Sequence, residues 1–297
     1  MARWGSRFAP LSNWLAASAP ARYMNEAVLD IDSRRTLPEW KNETLAKWLT
    51  RNPRPKAAKQ ITLFNDTFVN HYDPEIGIAA IEILEHAGYQ VNTVRPGCCG
   101  RPLISQGLLE EARAQSAALI AALLPIAERG EKILFLEPSC LSSVKEDIPS
   151  LLRGTLQQQA QTVARSAMLF EELAATLDLN LNPGPKRILL HGHCHQKSMG
   201  LVPAAATLLA RIPGAKVVDL DAGCCGMAGS FGYTKSHYEV STAIANRRLL
   251  PAVNAMQEGD VLVAAGTSCR HQIADLTTQH ATHPAVLIRN LLNCIAK

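Results

Sequence analysis

The sequence predicts an α/β protein: two similar βαβαβ-type units with parallel sheets, related by an internal repeat and preceded by a mostly helical or irregular lead-in. Three observations carry this reading. From about residue 60 onward, short apolar runs alternate with stretches whose apolar residues recur at helical spacing, the pattern of parallel strands joined by crossover helices. Landmarks recur at nearly one offset: Cys98 and Cys224 stand 126 positions apart, Cys140 and Cys269 stand 129 apart, and aligning ITLFNDTF on ILLHGHCH sets Thr67 opposite Cys194 at 127. A chain of 297 residues that is 47% hydrophobic and 19% charged has enough apolar side chains to bury a core of this size.

Residues 1–57 read as a lead-in or linker, interrupted by Pro10, Pro20, Pro38, Pro53 and Pro55. The first unit is expected over 58–180. ITLFND is a buried strand, and Pro74 to Gly88 is a helix with proline at its start and glycine at its end. YQVNTV is a strand, RPGCCGRP a loop, and the stretch around LLEEARAQSAALIAALLPIAERG a long helix bent near Pro125. KILFLEPSC is a strand ending at Cys140. The second unit, 181–297, repeats the order. KRILLHGHCH runs to Cys194, VPAAATLLARIPG is a helix, and AKVVDLDAGCCG is a strand reaching a second cysteine doublet. HYEVSTAIANRRLLPAVNAM is one helix, DVLVAAGTSC a strand ending at Cys269, and HPAVLIRNLLNCIAK a closing helix. Ligands in open α/β sheets bind beyond the carboxyl ends of the strands, which is where seven of the eight cysteines fall.

A net charge of +4 without a Lys/Arg block, with only 5% aromatics, does not point to nucleic acid. No run of about 18 apolar residues is present, and the amino-terminal stretch lacks the compact apolar centre of an export signal. The protein is therefore expected in the cytoplasm, any contact with the inner membrane being peripheral. In such a reducing compartment clustered cysteines serve metals or redox chemistry more than disulfides.

Cys194, Cys224, Cys225 and Cys269 come from three strand ends and make a set of four thiolates, soft ligands that select zinc, copper(I) or iron–sulfur clusters. Gly223 and Gly226 allow the positive φ that turns both sulfurs of the doublet towards one object. No pair of CxxC knuckles exists, so an iron–sulfur cluster leads over structural zinc, with buried inert thiols as a third reading. Cys98, Cys99 and Cys140 form a second, weaker set, in which Thr67 stands where a fourth thiolate would be. That set holds a cluster with a non-cysteine ligand, shares ligands with the other set, or only packs. His193 and His195 share one face if the strand continues through Cys194, and read as neighbours of the ligands or proton handlers. Cys294 reads as core. Glu137 and Arg101 are either groups of the first site or ordinary solvated charges.

Taken together, GCCGRP, EPSC, LHGHCHQK, GCCGMAGSFGY and GTSCRHQI resemble the cysteine-rich CCG domains of iron–sulfur oxidoreductases, over roughly residues 60 to 290. The resemblance is strongest to the C-terminal iron–sulfur module of bacterial FAD-linked oxidases of the D-2-hydroxyglutarate or D-lactate dehydrogenase type. It implies one or two clusters, [4Fe–4S] in type, on Cys194, Cys224, Cys225 and Cys269 and on Cys98, Cys99 and Cys140. It also implies FAD on a missing domain or partner, a ferredoxin-like domain or subunit, and a quinone or other electron acceptor. Thr67, Ser143 and the lack of a second cysteine beside Cys269 depart from the five-cysteine pattern of heterodisulfide reductase, so electron transfer fits better than disulfide reduction.

Overall fold

The computed structural model describes residues 2–293. Cys294 lies outside the described residues. Strands β1 (Lys59–Phe64), β2 (Tyr89–Val94), β3 (Ile133–Phe135) and β4 (Ala167–Leu169) form one parallel sheet in the order β2-β1-β3-β4. Strands β5 (Arg187–Leu190), β6 (Lys216–Asp219) and β7 (Asp260–Val263) form a second parallel sheet in the order β6-β5-β7. The first three strands of each sheet follow the same order, so the repeat seen in the sequence is a repeat of topology. Its fourth strand survives in the second unit as a single parallel bridge, Val263 with Thr282, where the first unit pairs Leu134 with Met168. The chain there has only residues 277–283 between two helices, too few for a longer strand. β4 itself is three residues long and too short to display a period in the sequence.

Three strands are shorter than their apolar runs. β3, β5 and β7 stop at Phe135, Leu190 and Val263, and the chain then turns into the helices Pro138–Ser142, Cys194–Ser198 and Thr267–Leu276. Cys140, Cys194 and Cys269, expected at strand ends, therefore sit in first helical turns. The physical reason is capping: Glu137 accepts from the Ser139 N–H at 3.3 Å, and His193 accepts from the His195 N–H at 3.1 Å, each satisfying a free helix-start donor. The stretch expected as one helix over 237–256 breaks into Tyr238–Asn246 and Leu249–Asn254. Pro251 has no N–H to offer, and its ring clashes with the carbonyl four residues back, at Arg247.

Each unit has a buried cluster of its own, and a third, larger one is shared between them. Leu63, Ile83 and Leu134 of the first join Ile188, Leu190, Leu208 and Ile288 of the second in one buried cluster. The helix Pro284–Leu291 packs along Pro74–His86, with Arg289 reaching Glu75 at 2.7 Å and Glu82 at 3.3 Å. The lead-in is helical over Ala2–Arg7, Leu11–Ala17, Ala19–Leu29 and Leu45–Arg51. Leu45 enters the shared core, while Trp4, Phe8, Leu11, Trp14, Leu15, Tyr23 and Met24 stay exposed. No helix among the described residues is long and apolar enough to cross a membrane.

Glu171, just after β4, is fully buried, and neither carboxyl oxygen has a partner. Burial, with Glu172 and Glu137 adding repulsion, pushes it up to about 8. A raised folded-state value means stability that is complete below the unfolded carboxyl range and is lost as pH rises through about 8. Melting temperature should therefore fall between pH 5 and pH 8 and level off above, and Glu171→Gln should recover several degrees at pH 8 while changing little at pH 5. Asp66, pushed up to about 7 chiefly by burial, contributes a slope of the same sign that the variant leaves in place. Thermal melts at the two pH values decide it; an equal shift at both removes the assignment.

Candidate metal centre

Parallel strands deliver all their carboxyl ends to one edge, and the cysteines follow there. Cys98 and Cys99 come after β2 and Cys140 after β3; Cys194 comes after β5, Cys224 and Cys225 after β6, and Cys269 after β7. All seven are free thiols.

In the second unit the four predicted residues meet. Cys194 hydrogen-bonds Cys224, and Cys225 lies between Cys224 and Cys269. The Gly226 N–H donates to Cys224 Sγ at 3.3 Å. These contacts split the thiols into two kinds. Cys224 is held well below the ordinary thiol range by hydrogen bonds from Cys194 and Cys225 and by the Gly226 amide. Cys269 is held low by the Cys225 hydrogen bond, with the His191 and His193 imidazoles adding to it. Cys194 and Cys225, the donors, are pushed up. Cys225 and Cys269 are buried, whereas Cys194 and Cys224 are partly exposed. Cys224 opens onto a cleft of 240 Å³ lined also by Asp221, Gly223, Ile244, Arg247 and Arg248.

The doublet is turned by its glycines. Gly223 and Gly226 have φ of 71° and 89°, and Gly97 and Gly100 in the first unit have 112° and 83°. At Gly226 a side chain is also sterically barred, since a Cβ would lie 2.1 Å from the Ser241 carbonyl oxygen.

The first unit brings together Cys98, Cys99 and Cys140. Cys98 hydrogen-bonds Cys99, and Cys99 hydrogen-bonds Cys140. All three are pushed up. For Cys98 and Cys99 the main cause is donation to the next sulfur. For Cys140 the Cys99 contact pulls downward, but burial and the charges of Asp66 and Glu137 outweigh it and leave the thiol at about 11. Among the described residues, no group of three or more His, Cys, Asp or Glu side chains is placed to hold a metal ion. Thiols linked one to the next, on glycine-lined loops, fit the several irons of a cluster better than the single ion of a tetrahedral zinc site.

The histidines differ from the strand-based expectation. His193 and His195 lie at a helix start, and they are neighbours because their rings stack, with centroids 5.4 Å apart and 19° between planes. His193 packs against Gly266, where a Cβ would come within 2.1 Å of the ring. His195 Nδ1 meets the Ser142 hydroxyl of the first unit at 2.8 Å. Burial and the nearby Arg101 and His193 pull it down to about 4, so it is neutral at neutral pH. His191 is fully buried beside Cys269, and its two ring nitrogens have no partner.

Glu137 is no solvated charge. It is 3% exposed, takes the Ser139 hydroxyl at 2.8 Å, and takes the Thr267 N–H of the other unit at 2.9 Å. Arg101 pairs with Asp147 and donates to Ser142 at 2.8 Å, beside the seam between the units. Arg35 is the residue that sequence reasoning passes over. It is 2% exposed and donates to the Gly232 carbonyl at 2.7 Å, Gln272 at 2.8 Å, Asp275 at 2.9 Å and the Ser241 hydroxyl at 2.9 Å. Ser241 is the residue whose carbonyl faces Gly226, so an arginine of the lead-in braces the doublet loop. The Arg34–Arg35 pair in a proline-punctuated segment is its only sequence signal, because its partners lie about two hundred positions away.

A doubled parallel α/β fold that gathers a cysteine doublet and two further thiols beyond one sheet edge defines a cysteine-rich α/β protein. Residues 188–274 match the family described as cysteine-rich domain, CCG. Over 294 residues, 96% of this chain and 73% of the relative, the chain is 29% identical to a subunit of the anaerobic glycerol-3-phosphate dehydrogenase of Escherichia coli. It is 27% identical over 219 residues to lactate utilization protein A of Macrococcus caseolyticus, covering 71% of this chain and 86% of that one. It is 25% identical over 237 residues to D-2-hydroxyglutarate dehydrogenase of Pseudomonas putida, covering 77% of this chain but 22% of that protein.

Substituting the two glycines of the doublet loop separates backbone strain from steric conflict. Gly223→Ala meets no atom within 4 Å and should cost about 1 kcal/mol for its positive φ. Gly226→Ala should cost about 2 kcal/mol more, because the new methyl collides with backbone. Urea unfolding of the apoprotein measures both, and equal costs would mean that the loop yields freely.

Proposed function

We propose that this chain is the iron–sulfur electron-transfer component of a flavin-dependent dehydrogenase. The observation that carries the reading is the meeting of Cys194, Cys224, Cys225 and Cys269 from three strand ends of one sheet, with two of the four sulfurs electrostatically favoured as thiolates. A cluster bound there supplies one-electron redox chemistry. The residues around it bind and tune. The Gly226 amide stabilises charge on the Cys224 sulfur, and His191 sets a polar ring against the Cys269 sulfur. Buried Cys225 and Cys269 keep water from the inner side. Partly exposed Cys194 and Cys224, at the cleft with Arg247 and Arg248, leave an edge where a redox partner can approach.

The names of the relatives share one chemistry. Glycerol 3-phosphate, lactate and 2-hydroxyglutarate are all oxidised at a secondary alcohol carbon, which gives up two electrons together. We assign that two-electron step to FAD on a partner or a further domain, and the splitting into single electrons to this chain, a 2-hydroxyacid of the D-2-hydroxyglutarate or D-lactate type being the substrate class. Ferredoxin-like clusters and a quinone complete the proposed route. The organisation follows the repeat: a lead-in over 1–57 and units over 58–180 and 181–297, each with a [4Fe–4S] cluster, the first on Cys98, Cys99 and Cys140. His193 and His195 steady the thiolate set. We place the protein in the cytoplasm, at the inner membrane surface. The exposed Trp4, Phe8, Leu11 and Trp14 beside Arg3 and Arg7 support that placement, since aromatic and cationic side chains together suit a bilayer interface.

Anaerobic purification followed by iron, sulfide and EPR analysis tests the reading. The native chain should be brown and EPR-active after reduction, and Cys225→Ser should lose about four irons. A colourless, iron-free native protein after anaerobic reconstitution, or stoichiometric zinc in protein never exposed to air, would overturn it.

A further inference from the structure

Arg35 belongs to the lead-in, yet its side chain is fully buried inside the scaffold of the second cysteine set. Nε donates to the Gly232 carbonyl at 2.7 Å, and Nη2 donates to the Ser241 hydroxyl at 2.9 Å. Both acceptors follow the doublet, Gly232 in the turn Phe231–Tyr233 and Ser241 in the helix Tyr238–Asn246. Nη1 donates to Gln272 Oε1 at 2.8 Å and to Asp275 at 2.9 Å. Both of these lie in the helix Thr267–Leu276, which carries Cys269. One planar fork therefore ties the chain that follows Cys225 to the helix that bears Cys269.

The contacts run on to the thiols. Gln272 Nε2 donates to the Ser241 carbonyl at 3.3 Å and to its hydroxyl at 3.1 Å, closing a ring of hydrogen bonds with Arg35. The Ser241 carbonyl oxygen abuts Gly226, whose N–H donates to Cys224 Sγ. On the other branch the Gly232 N–H donates to the Met227 carbonyl at 2.8 Å, and the Met227 N–H hydrogen-bonds Cys225. Cys225 in turn hydrogen-bonds Cys269. The repeat shows that this tie has a counterpart. Ser143 stands 129 positions before Gln272, the offset that relates Cys140 to Cys269. Its hydroxyl donates directly to the Cys99 carbonyl at 2.9 Å, joining the first doublet to the segment that follows Cys140. In the second unit the equivalent Gln272 reaches the doublet loop with Arg35 beside it. The lead-in is anchored for this role: the Asp32 N–H donates to the Tyr233 carbonyl at 2.8 Å, the Lys235 N–H to the Asp30 carbonyl at 2.9 Å, and Lys235 pairs with Glu26 at 2.7 Å.

We propose that Arg35 is the positioning residue of the second cysteine set: it holds Cys224 and Cys225 in place against Cys269, so that the set retains its cluster only with the lead-in docked. The clamp acts on the thiols with or without metal; only its effect on a cluster rests on the reading of the set as an iron–sulfur site. Lysine cannot replace it, because a single ammonium does not reach the doublet loop and the Cys269 helix as a planar fork does.

The repeat also supplies the internal reference for the test. Cys225 and Cys269 are buried, and so are their counterparts Cys99 and Cys140. The full-length apoprotein is exposed to iodoacetamide under native conditions, and the labelling rate of each cysteine is read by peptide mass spectrometry. Arg35→Met and Arg35→Lys are compared with the native chain and with Leu45→Ala, which weakens the lead-in in the shared core away from the clamp. Both Arg35 variants should label Cys225 and Cys269 about tenfold faster and leave Cys99 and Cys140 unchanged, because a local opening exposes only what it frees. Leu45→Ala should accelerate all four alike. After anaerobic reconstitution, Arg35→Met should also yield iron to a chelator about tenfold faster than Leu45→Ala. Equal acceleration at all four thiols in the Arg35 variants makes Arg35 a general stabiliser and overturns the proposal; so does an unchanged rate at Cys225 and Cys269. Native-like labelling in Arg35→Lys reduces Arg35 to the charge partner of Asp275 and overturns it too. Selective labelling in protein that takes up no iron leaves the clamp standing and overturns the cluster reading alone.

Discussion

The carboxylate of Glu137 is the contact on which the arrangement of both cysteine sets turns. One oxygen closes the start of its own helix through Ser139, and the other accepts from Thr267, at the start of a helix in the other unit. Those two helices carry Cys140 and Cys269. Hydrogen bonds to a charged group are worth about 1.5–3 kcal/mol each, and an acid stripped of them would be left buried without compensation. Burial pushes this carboxyl upward, but the His193 imidazole, the Thr267 amide and the Arg270 guanidinium outweigh that and keep it ionised. With His195 on Ser142 and His283 on the Leu136 carbonyl at 3.1 Å, it forms a polar seam between the two sets. The shared apolar cluster holds the units together, and the seam ties the helix that carries Cys140 to the helix that carries Cys269.

The same scaffold then carries two different electrostatic environments. At equivalent positions the second unit has His191 and His193, and the first has Phe64 and Asp66. Imidazoles beside Cys224 and Cys269 favour the thiolate; carboxylates beside Cys140 oppose it. Phe64 stacks on Phe135 at 4.7 Å and lies with Cys99 and Cys140 in an apolar cluster, where His191 in the second unit offers a polar ring. The two copies share a backbone and have diverged in charge.

Much of this was legible in the residues. The near-constant offset of the cysteines revealed the repeat, and their positions after apolar runs located them beyond sheet edges, because parallel strands must all end on one side. Positive φ at Gly223 and Gly226 followed from a doublet whose two sulfurs cannot point the same way on a regular strand. The strand ends were not legible, since an apolar run does not reveal where a side chain such as Glu137 or His193 will satisfy a helix start instead. His193 and His195 were brought together by that turn and not by strand alternation.

The sequence by itself determined the alternation of strands and helices, the repeat, and the placing of seven cysteines after apolar runs, for all three depend on local periodicity and on residues that recur at one spacing. The tertiary structure alone decided that the units share a core, that Arg35 braces the doublet loop from the lead-in, and that Glu137 joins the two cysteine-bearing helices. The reason is range. These contacts pair residues more than a hundred positions apart, and each polar partner gains its strength only once burial has removed the water that would otherwise compete for it.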